Sequence, residues 1–407
     1  MSFQTCWVAA PALLPIIDPE FFVVEIFDVR IFIGPSLTTS MTNPAQPHEN
    51  KRPVWVVTGG TGLVGENLLH LLCNEYYSDA DHGDPNRTSQ VPLIRASFRD
   101  AQRIGNQGVL GKASQNSIEW MPCDLMQWGD ADSLVEGAEV VFHCAALISY
   151  DPKDQAQLMH QNAQSTARLV DACLAAGVRR LVHVSSIAAL GPPRDNEPVH
   201  EDTPWNEKEA SSYYGQSKFA AELEVWRGQE EGLEVIVVNP SVILGTGAFE
   251  TGSNQMFSKI QRGLKFYSSG SLGMVDVRDV AKACLMLHQG NCIGQRFLLN
   301  GANLTFKALF DEMASCLGCR PPAYCPPFWL ARFTALLLQG WSNLRGTRNF
   351  ISAETVKAAY TRKHYDGSRI LRTLPSFQYR PWTQTVADGV AHLLYSPEPR
   401  PTYRPKP

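Results

Sequence analysis

Three side chains near the middle of the chain have the types and spacing that proton transfer needs. Tyr214 and Lys218 stand four residues apart in Tyr213-Tyr-Gly-Gln-Ser-Lys218. On a helix, residues four apart share a face. A phenol ordinarily titrates near about 10, and a neighbouring ammonium favours its phenolate, lowering that value toward working pH. Such a tyrosine could pass a proton to or from a substrate oxygen. Upstream, Val184-Ser-Ser186-Ile187 offers a hydroxyl that could donate to the same oxygen. Taken singly these residues are ordinary. Tyr/Lys pairs decorate solvated helices, and a serine pair can cap a helix. Their meaning depends on the elements that position them.

The first such element is Val54 to Leu72, VWVVTGGTGLVGENLLHLL. Val54 to Val57 form a short apolar run suited to a buried parallel strand. Glycines follow at 59, 60, 62 and 65, and Leu63, Leu68, Leu69, Leu71 and Leu72 then recur at helical spacing. Strand, glycine turn and helix bring backbone N–H groups and a helix N-terminus up to a pyrophosphate. A Cβ would block both the ligand and the helix's approach to the strand. The glycines fit two frames, Gly60-x-Gly62-x-x-Gly65 and Gly59-x-x-Gly62-x-x-Gly65. The expected contacts are Gly59, Gly62, Leu63, Val64 and Gly65. The run Pro92 to Phe98 predicts a second strand, followed by Arg99. An acid at that point would hold the ribose hydroxyls of NAD, whereas an arginine pairs with the 2′-phosphate of NADP. Asp100 only follows Arg99, so NADP is the expected cofactor, with NAD as the other possibility.

Further strands are predicted over 118–123, 140–144, 181–184 and 235–238, with helices around 131–135, 159–176 and 214–230. This alternation is an α/β pattern: a doubly wound parallel sheet with helices on both faces. Ligands then lie past the carboxyl ends of the strands, where Gly59–Gly65, Arg99, Asp124, Ala145, Ala146, Ser186 and Pro240 all fall. After Pro240 the texture changes, with Gly245 to Gly273 reading as loop and shorter helices following Gly301. The expected organisation is an extension at 1–52 and a Rossmann domain at 53–240. A mixed substrate-binding cap spans 241–395, with a returning Rossmann segment near 275–300, and 396–407 is a polar tail. Residues 1–40 read as lying outside the functional unit, as an extension from an upstream start site would; an intact mass that includes Met1 would refute that.

Bulk properties narrow the class. A chain of 407 residues, 44% hydrophobic, can bury a sizeable core. A net charge of −4 gives nucleic acid no electrostatic reason to bind. The ten cysteines are scattered, several inside apolar runs, which suits free thiols in a reducing cytoplasmic setting. Cys316-x-x-Cys319 with Cys325 lacks a fourth ligand, so no metal is expected. No uninterrupted apolar run reaches the roughly 18–20 residues of a spanning helix. The run Phe328 to Trp341 is too short to span. It reads first as cap packing, with a pocket lining or a membrane surface as alternatives.

The motifs together are more specific than any one of them. Thr58-Gly-Gly-Thr-Gly-Leu-Val-Gly65, Cys123-Asp-Leu125, His143-Cys-Ala-Ala146, Val184-Ser-Ser-Ile187, Tyr214-x-x-x-Lys218 and Asn239-Pro-Ser241 occur in this order. The set resembles the extended short-chain dehydrogenase/reductase superfamily, the NAD-dependent epimerase/dehydratase group, in its dihydroflavonol-4-reductase and 3β-hydroxysteroid dehydrogenase-like branch. The resemblance runs from about Pro53 through Val275–Ala283, and into Tyr365–Trp382. It implies Ser186, Tyr214 and Lys218 as catalytic residues, with Tyr214 and Lys218 also touching cofactor. Asp124 and Leu125 would border the adenine, Ala145 and Ala146 the inner ribose, and Pro240, Ser241 and Val242 the nicotinamide amide. Ile187-Ala188-Ala189 after Ser186 lacks the acids that sugar dehydratases carry there. The expected activity is hydride transfer between NADP(H) and a ketone or secondary alcohol of a small, apolar substrate. The alternatives are a sugar-nucleotide epimerase with retained NAD and a non-catalytic NADP-binding sensor. A homodimer is compatible with either.

Overall fold

The computed structural model describes residues 25–26, 29–30, 52–77, 91–105, 108–192, 197–206, 212–249, 252–345 and 353–395. The expectation for residues 1–52 and that for the polar tail at 396–407 lie almost wholly outside them. Within the first fifty residues, β1 (Glu25–Ile26) and β2 (Val29–Arg30) form one antiparallel pair.

The remainder of the chain, from Lys51, is one compact unit. Its main sheet holds β3 (Val54–Thr58), β4 (Leu93–Phe98), β5 (Glu119–Pro122), β6 (Ala138–His143), β7 (Arg180–Val184), β8 (Glu234–Pro240) and β11 (Gln295–Leu299). The spatial order is β11-β8-β7-β6-β3-β4-β5, with every neighbouring pair parallel. Chain order reverses direction between β3 and β6, which defines the doubly wound arrangement and its crevice. A second sheet sets β10 (Ser271–Asp276) between β9 (Val242–Leu244), parallel, and β12 (Ala302–Thr305), antiparallel.

Alternation along β3 explains the layers. Trp55 and Val57 face one side with Leu68, Leu69 and Leu72 of α1 (Leu63–Tyr77). Val56 faces the other, with Leu134, Leu169 and Val225. Those three come from helices α3 (Asp130–Val135), α5 (Ser165–Ala176) and α6 (Tyr213–Glu230); α2 (Lys112–Asn116) and α4 (Gln155–Leu158) are shorter. Truncating a fully buried residue such as Leu69 to alanine costs about 2–5 kcal/mol. A third core lies around Phe257, Leu309 and Val386, on α7 (Gln255–Gln261), α9 (Phe306–Leu317) and α13 (Trp382–Tyr395). Asp276 caps α8 (Val277–Gln289), and Arg278 pairs with both Asp276 and Asp388, tying α8 to α13.

Several boundaries differ from the sequence reading. Helix α1 continues through Asn74 to Tyr77, because Tyr76 and Tyr77 still pack on the core. The polar stretch between β4 and β5 contains α2, and Gly245–Gly273, read as loop, contains α7, whose Phe257 and Ile260 are fully buried. The helix ending at Ala176 includes a π-turn at Met159–Gln164. The largest difference is the apolar run at 328–341. It forms helix α10 (Phe328–Arg345), which packs beside α11 (Ala353–Tyr360), with the short α12 (Arg369–Thr373) following. Its small residue Ala335 is buried, while Trp329, Phe333, Leu337 and Trp341 are exposed. Tyr324 and Cys325, just before this helix, are also exposed. No described helix is long and apolar enough to cross a membrane.

Candidate active site

The carboxyl ends of β3, β4, β6, β7 and β8 carry the residues singled out above. The turn after β3 is held by β4: Ser97 Oγ accepts the Gly59 N–H at 3.1 Å and Ser97 O accepts that of Gly60 at 3.0 Å. Gly59 has φ +66°, and a Cβ there would lie 2.8 Å from the Ala145 backbone. A Cβ on Gly65 would lie 2.2 Å from Gly59 O, and one on Gly62 3.1 Å from the same oxygen. Gly59, Gly62 and Gly65 thus crowd backbone, that of the turn itself or of Ala145. Gly60 serves packing, with Trp120, Ala96 and Leu69 about its Cα. The tight turn presents the first-turn amides of α1, at Leu63, Val64 and Gly65, which no helix satisfies internally. This cradle fits a dinucleotide pyrophosphate, and a side chain at any of the three glycines would spoil it. Two buried hydroxyls at neighbouring strand ends, Ser185 Oγ and Ser241 Oγ, have no hydrogen-bond partner among the described residues. They too suit a polar ligand across these ends.

A buried relay fixes the end of β6. His143 pairs through Nδ1 with Thr58 Oγ1 at 2.8 Å and through Nε2 with Thr166 Oγ1 at 2.9 Å. Thr58 Oγ1 also accepts the Ala145 N–H at 3.2 Å, so the relay sets the backbone at Ala145; Ala146 beyond it is exposed. Burial, then the Lys218 charge, bring His143 down to about 3, so the ring is neutral.

Tyr214 is buried one residue into α6, whose N-cap Ser212 accepts the Gly215 N–H at 3.1 Å. A Cβ on Gly215 would fall 2.6 Å from Ala188 O; the helix start therefore presses against the loop that follows β7. That approach sets the Tyr214 phenol beside the Ser186 side chain, close enough to favour its phenolate. Ser186 also caps the turn Ile187–Ala189, accepting the Ala188 N–H at 3.1 Å, so capping and catalytic placement coexist at one residue. Lys218 is buried one turn further along α6 and donates from Nζ to Val184 O at 2.9 Å. Burial brings it down to about 8, against the opposing pull of Glu222 and then Cys144.

One expectation fails here. The phenol was to be lowered toward working pH; in the structure it is raised. Burial is the main cause, Tyr150 adds to it, and only the Ser186 side chain opposes it. Lys218 spends a donor on Val184 and is not among the causes of the shift.

The remaining positions divide. Arg99 is exposed at the end of β4, donating to Gln161 Oε1 at 3.2 Å, while Asp100 is occupied in capping the turn 101–103. Asp124 Oδ1 accepts the Met126 N–H at 3.0 Å, which shapes the turn after β5; Leu125 points into the core. Pro240 ends β8, Ser241 donates its N–H to Leu299 O at 2.9 Å, and Val242 opens β9.

Sequence reasoning missed three features. Asn162, in the π-turn, accepts the Leu147 N–H at 2.8 Å. Its Nδ2 donates to Leu147 O at 3.0 Å and to Ser217 Oγ at 2.9 Å, and Ser217 in turn donates to the Tyr214 carbonyl at 2.8 Å. It thus ties the loop after β6 to the helix bearing Tyr214. A π-turn at such a point is a frequent mark of function, but nothing in Met159–Gln164 announces it. Tyr150, edge-on to Tyr214 with ring centroids 5.7 Å apart, and exposed Ile148 add apolar surface beside the phenol. Arg103 adds a second exposed cation to the turn after Arg99.

Comparison with known proteins agrees with this geometry. Residues 55–296 match the NAD dependent epimerase/dehydratase family. A Synechocystis protein provisionally named a dihydroflavonol 4-reductase is 27% identical over 82% of this chain and 92% of its own length. Cinnamoyl-CoA reductase 1 of Petunia hybrida is 27% identical over 60% of this chain and 71% of its own. The crystal structure of gox2253 superposes with a TM-score of 0.69 at 26% identity, covering 85% of this chain and 99% of that one. The chain belongs to the NAD dependent epimerase/dehydratase family, within the extended short-chain dehydrogenases/reductases, and is an oxidoreductase.

Proposed function

We propose that the protein is an NADP-preferring reductase of ketones on small apolar substrates, or a dehydrogenase of the corresponding secondary alcohols. The observation that carries this reading is Tyr214 buried against the Ser186 hydroxyl, with Lys218 one turn away, at the strand ends beside the glycine cradle. The names of the reductase relatives support it. When bound, NADP(H) supplies or takes up the hydride. Gly59, Gly62, Leu63, Val64 and Gly65 would hold its pyrophosphate, and Arg99, with Arg103 nearby, the 2′-phosphate. Asp124 and Leu125 would border the adenine, and Ala145, Ala146, Pro240, Ser241 and Val242 the ribose and nicotinamide end.

Tyr214 would protonate the substrate oxygen in reduction and deprotonate it in oxidation. Its raised pKa keeps the phenol protonated in the unliganded protein, the form that donates. Ser186 would hydrogen-bond the same oxygen and polarise the carbonyl. Lys218, protonated below about pH 8, has two N–H donors beyond the one given to Val184; they are suited to ribose hydroxyls. Ile148 and Tyr150 favour an apolar or aromatic substrate over a sugar.

The test is titration with NADPH and NADH, followed by a carbonyl panel monitored at the nicotinamide absorbance. Tighter NADPH binding and turnover of apolar ketones support the proposal. Protein that purifies with NAD(H) retained and interconverts nucleotide sugars would point to an epimerase. Cofactor binding without any turnover would point to a sensor.

A further inference from the structure

We propose that helix α10 is an in-plane docking element for an anionic phospholipid surface. Its polarity is inverted for a helix on the outside of a protein. Ala331, Ala335 and Gln339, at i, i+4 and i+8, are the least exposed of its described side chains, and the helix packs beside α11. At about 100° per residue, Trp329, Phe333, Leu336, Leu337, Leu330 and Trp341 lie roughly 100–240° around from Ala335. That arc faces solvent and is wholly apolar. Trp329, Phe333 and Trp341 are 68%, 55% and 59% exposed. With about 150–250 Å² per aromatic side chain, these three alone expose roughly 270–450 Å². This already rivals the largest apolar patch on a typical monomer, about 300–600 Å². Phe266 and Tyr324, exposed with ring centroids 6.1 Å apart, add aromatic surface in the same cap.

Charge selects the occupant. From residue 313 to 353 the sequence has arginines at 320, 332, 345 and 348 and no aspartate or glutamate. Arg320 and Arg332 are exposed. A two-fold interface with a second copy would set this patch against itself, bringing the exposed like charges of Arg320 and Arg332 together with those of the other copy. An anionic bilayer surface supplies the opposite sign. Tryptophans near both ends of the arc, about 18 Å apart along the axis, suit the interfacial zone where an amphipathic ring is at home. The helix is too short and too interrupted to cross, so it would lie in the surface with its outer face buried.

Co-sedimentation of the full chain tests this, using vesicles of phosphatidylcholine alone and of phosphatidylcholine with phosphatidylglycerol. The protein should pellet with the phosphatidylglycerol vesicles. Phe333→Glu with Leu337→Glu should cut the partition coefficient about tenfold or more. Arg332→Glu should cut it about fivefold on anionic vesicles only. An unchanged thermal midpoint and dinucleotide affinity will show that the variants are folded. Wild-type protein that binds neither vesicle, or binding that the double substitution leaves intact, overturns the proposal. So does a wild-type dimer in light scattering that the same double substitution splits, which would assign the face to a second copy.

Discussion

Gly65→Ala separates the glycine cradle from an ordinary glycine turn. In an exposed helix the change would help, because alanine is about 1 kcal/mol better than glycine. Here the new Cβ meets Gly59 O at 2.2 Å, Gly59 C at 2.9 Å and Gly60 Cα at 3.1 Å, all of them backbone. Ordinary C···O contacts begin near about 3.3 Å, so α1 must withdraw by about 1 Å. Overpacking of this kind costs about 1–3 kcal/mol, which cancels or outweighs the helix gain. The functional effect is larger, because the displaced atoms are the amides of Leu63, Val64 and the substituted position themselves. A misplacement of about 1 Å is worth about a hundredfold, or about 2.7 kcal/mol in affinity. The control is Gly177→Ala at the end of α5, where φ is +69° and a Cβ meets nothing within 4 Å. Left-handed strain there costs about 1 kcal/mol of stability and leaves binding unchanged. Calorimetric titration with NADPH and with NADH, together with thermal melts, reads both effects. If Gly65→Ala bound dinucleotide with wild-type affinity, the pyrophosphate would not lie at the start of α1.

Other perturbations report on separate parts of the site. Arg99→Ala should weaken NADPH about tenfold and leave NADH unaffected, since the 2′-phosphate is the only group it would meet; equal losses for both cofactors would refute the assignment. Asn162→Ala should lower turnover and melting temperature together, because it releases both the Leu147 loop and Ser217; wild-type values would show the network to be dispensable. His288 gives a pH prediction. Burial, then Arg180, whose Nη1 lies 3.1 Å from Nδ1, bring it from 6.5 down to about 4. The folded state keeps the ring neutral while the unfolded chain takes up a proton below about 6.5. Stability is therefore full above that value and is lost as pH falls through about 4, by about 3 kcal/mol for this one group. Denaturant midpoints between pH 7.5 and 4 should fall less steeply for His288→Gln; an identical slope would contradict it.

How much of this was legible in the sequence depended on the range of the interaction. The strand starting at Val54, its glycine turn and α1 are local patterns, and they appear where periodicity puts them. The strand-end position of Ser186 and the helical positions of Tyr214 and Lys218 follow from alternation alone. Which backbone the glycines crowd did not, because the contacts are Gly59 with Ala145 and Gly65 with Gly59 O. Nor was the direction of the Tyr214 shift, since burial outweighs the charge chemistry that spacing suggests. Asn162 joins residues 15 and 55 positions away, and no local pattern encodes that pairing. Apolar α10 has the composition of a core helix. Only its neighbours reveal that the small residues face inward.

Tyr214→Phe tests the central claim most directly. It removes one hydroxyl and keeps the buried ring, so fold and dinucleotide binding should persist. With NADPH and a carbonyl substrate that the wild type turns over, the rate of hydride transfer should fall by about 10²–10⁴-fold at unchanged NADPH affinity. An undiminished rate with the phenol gone would contradict the account.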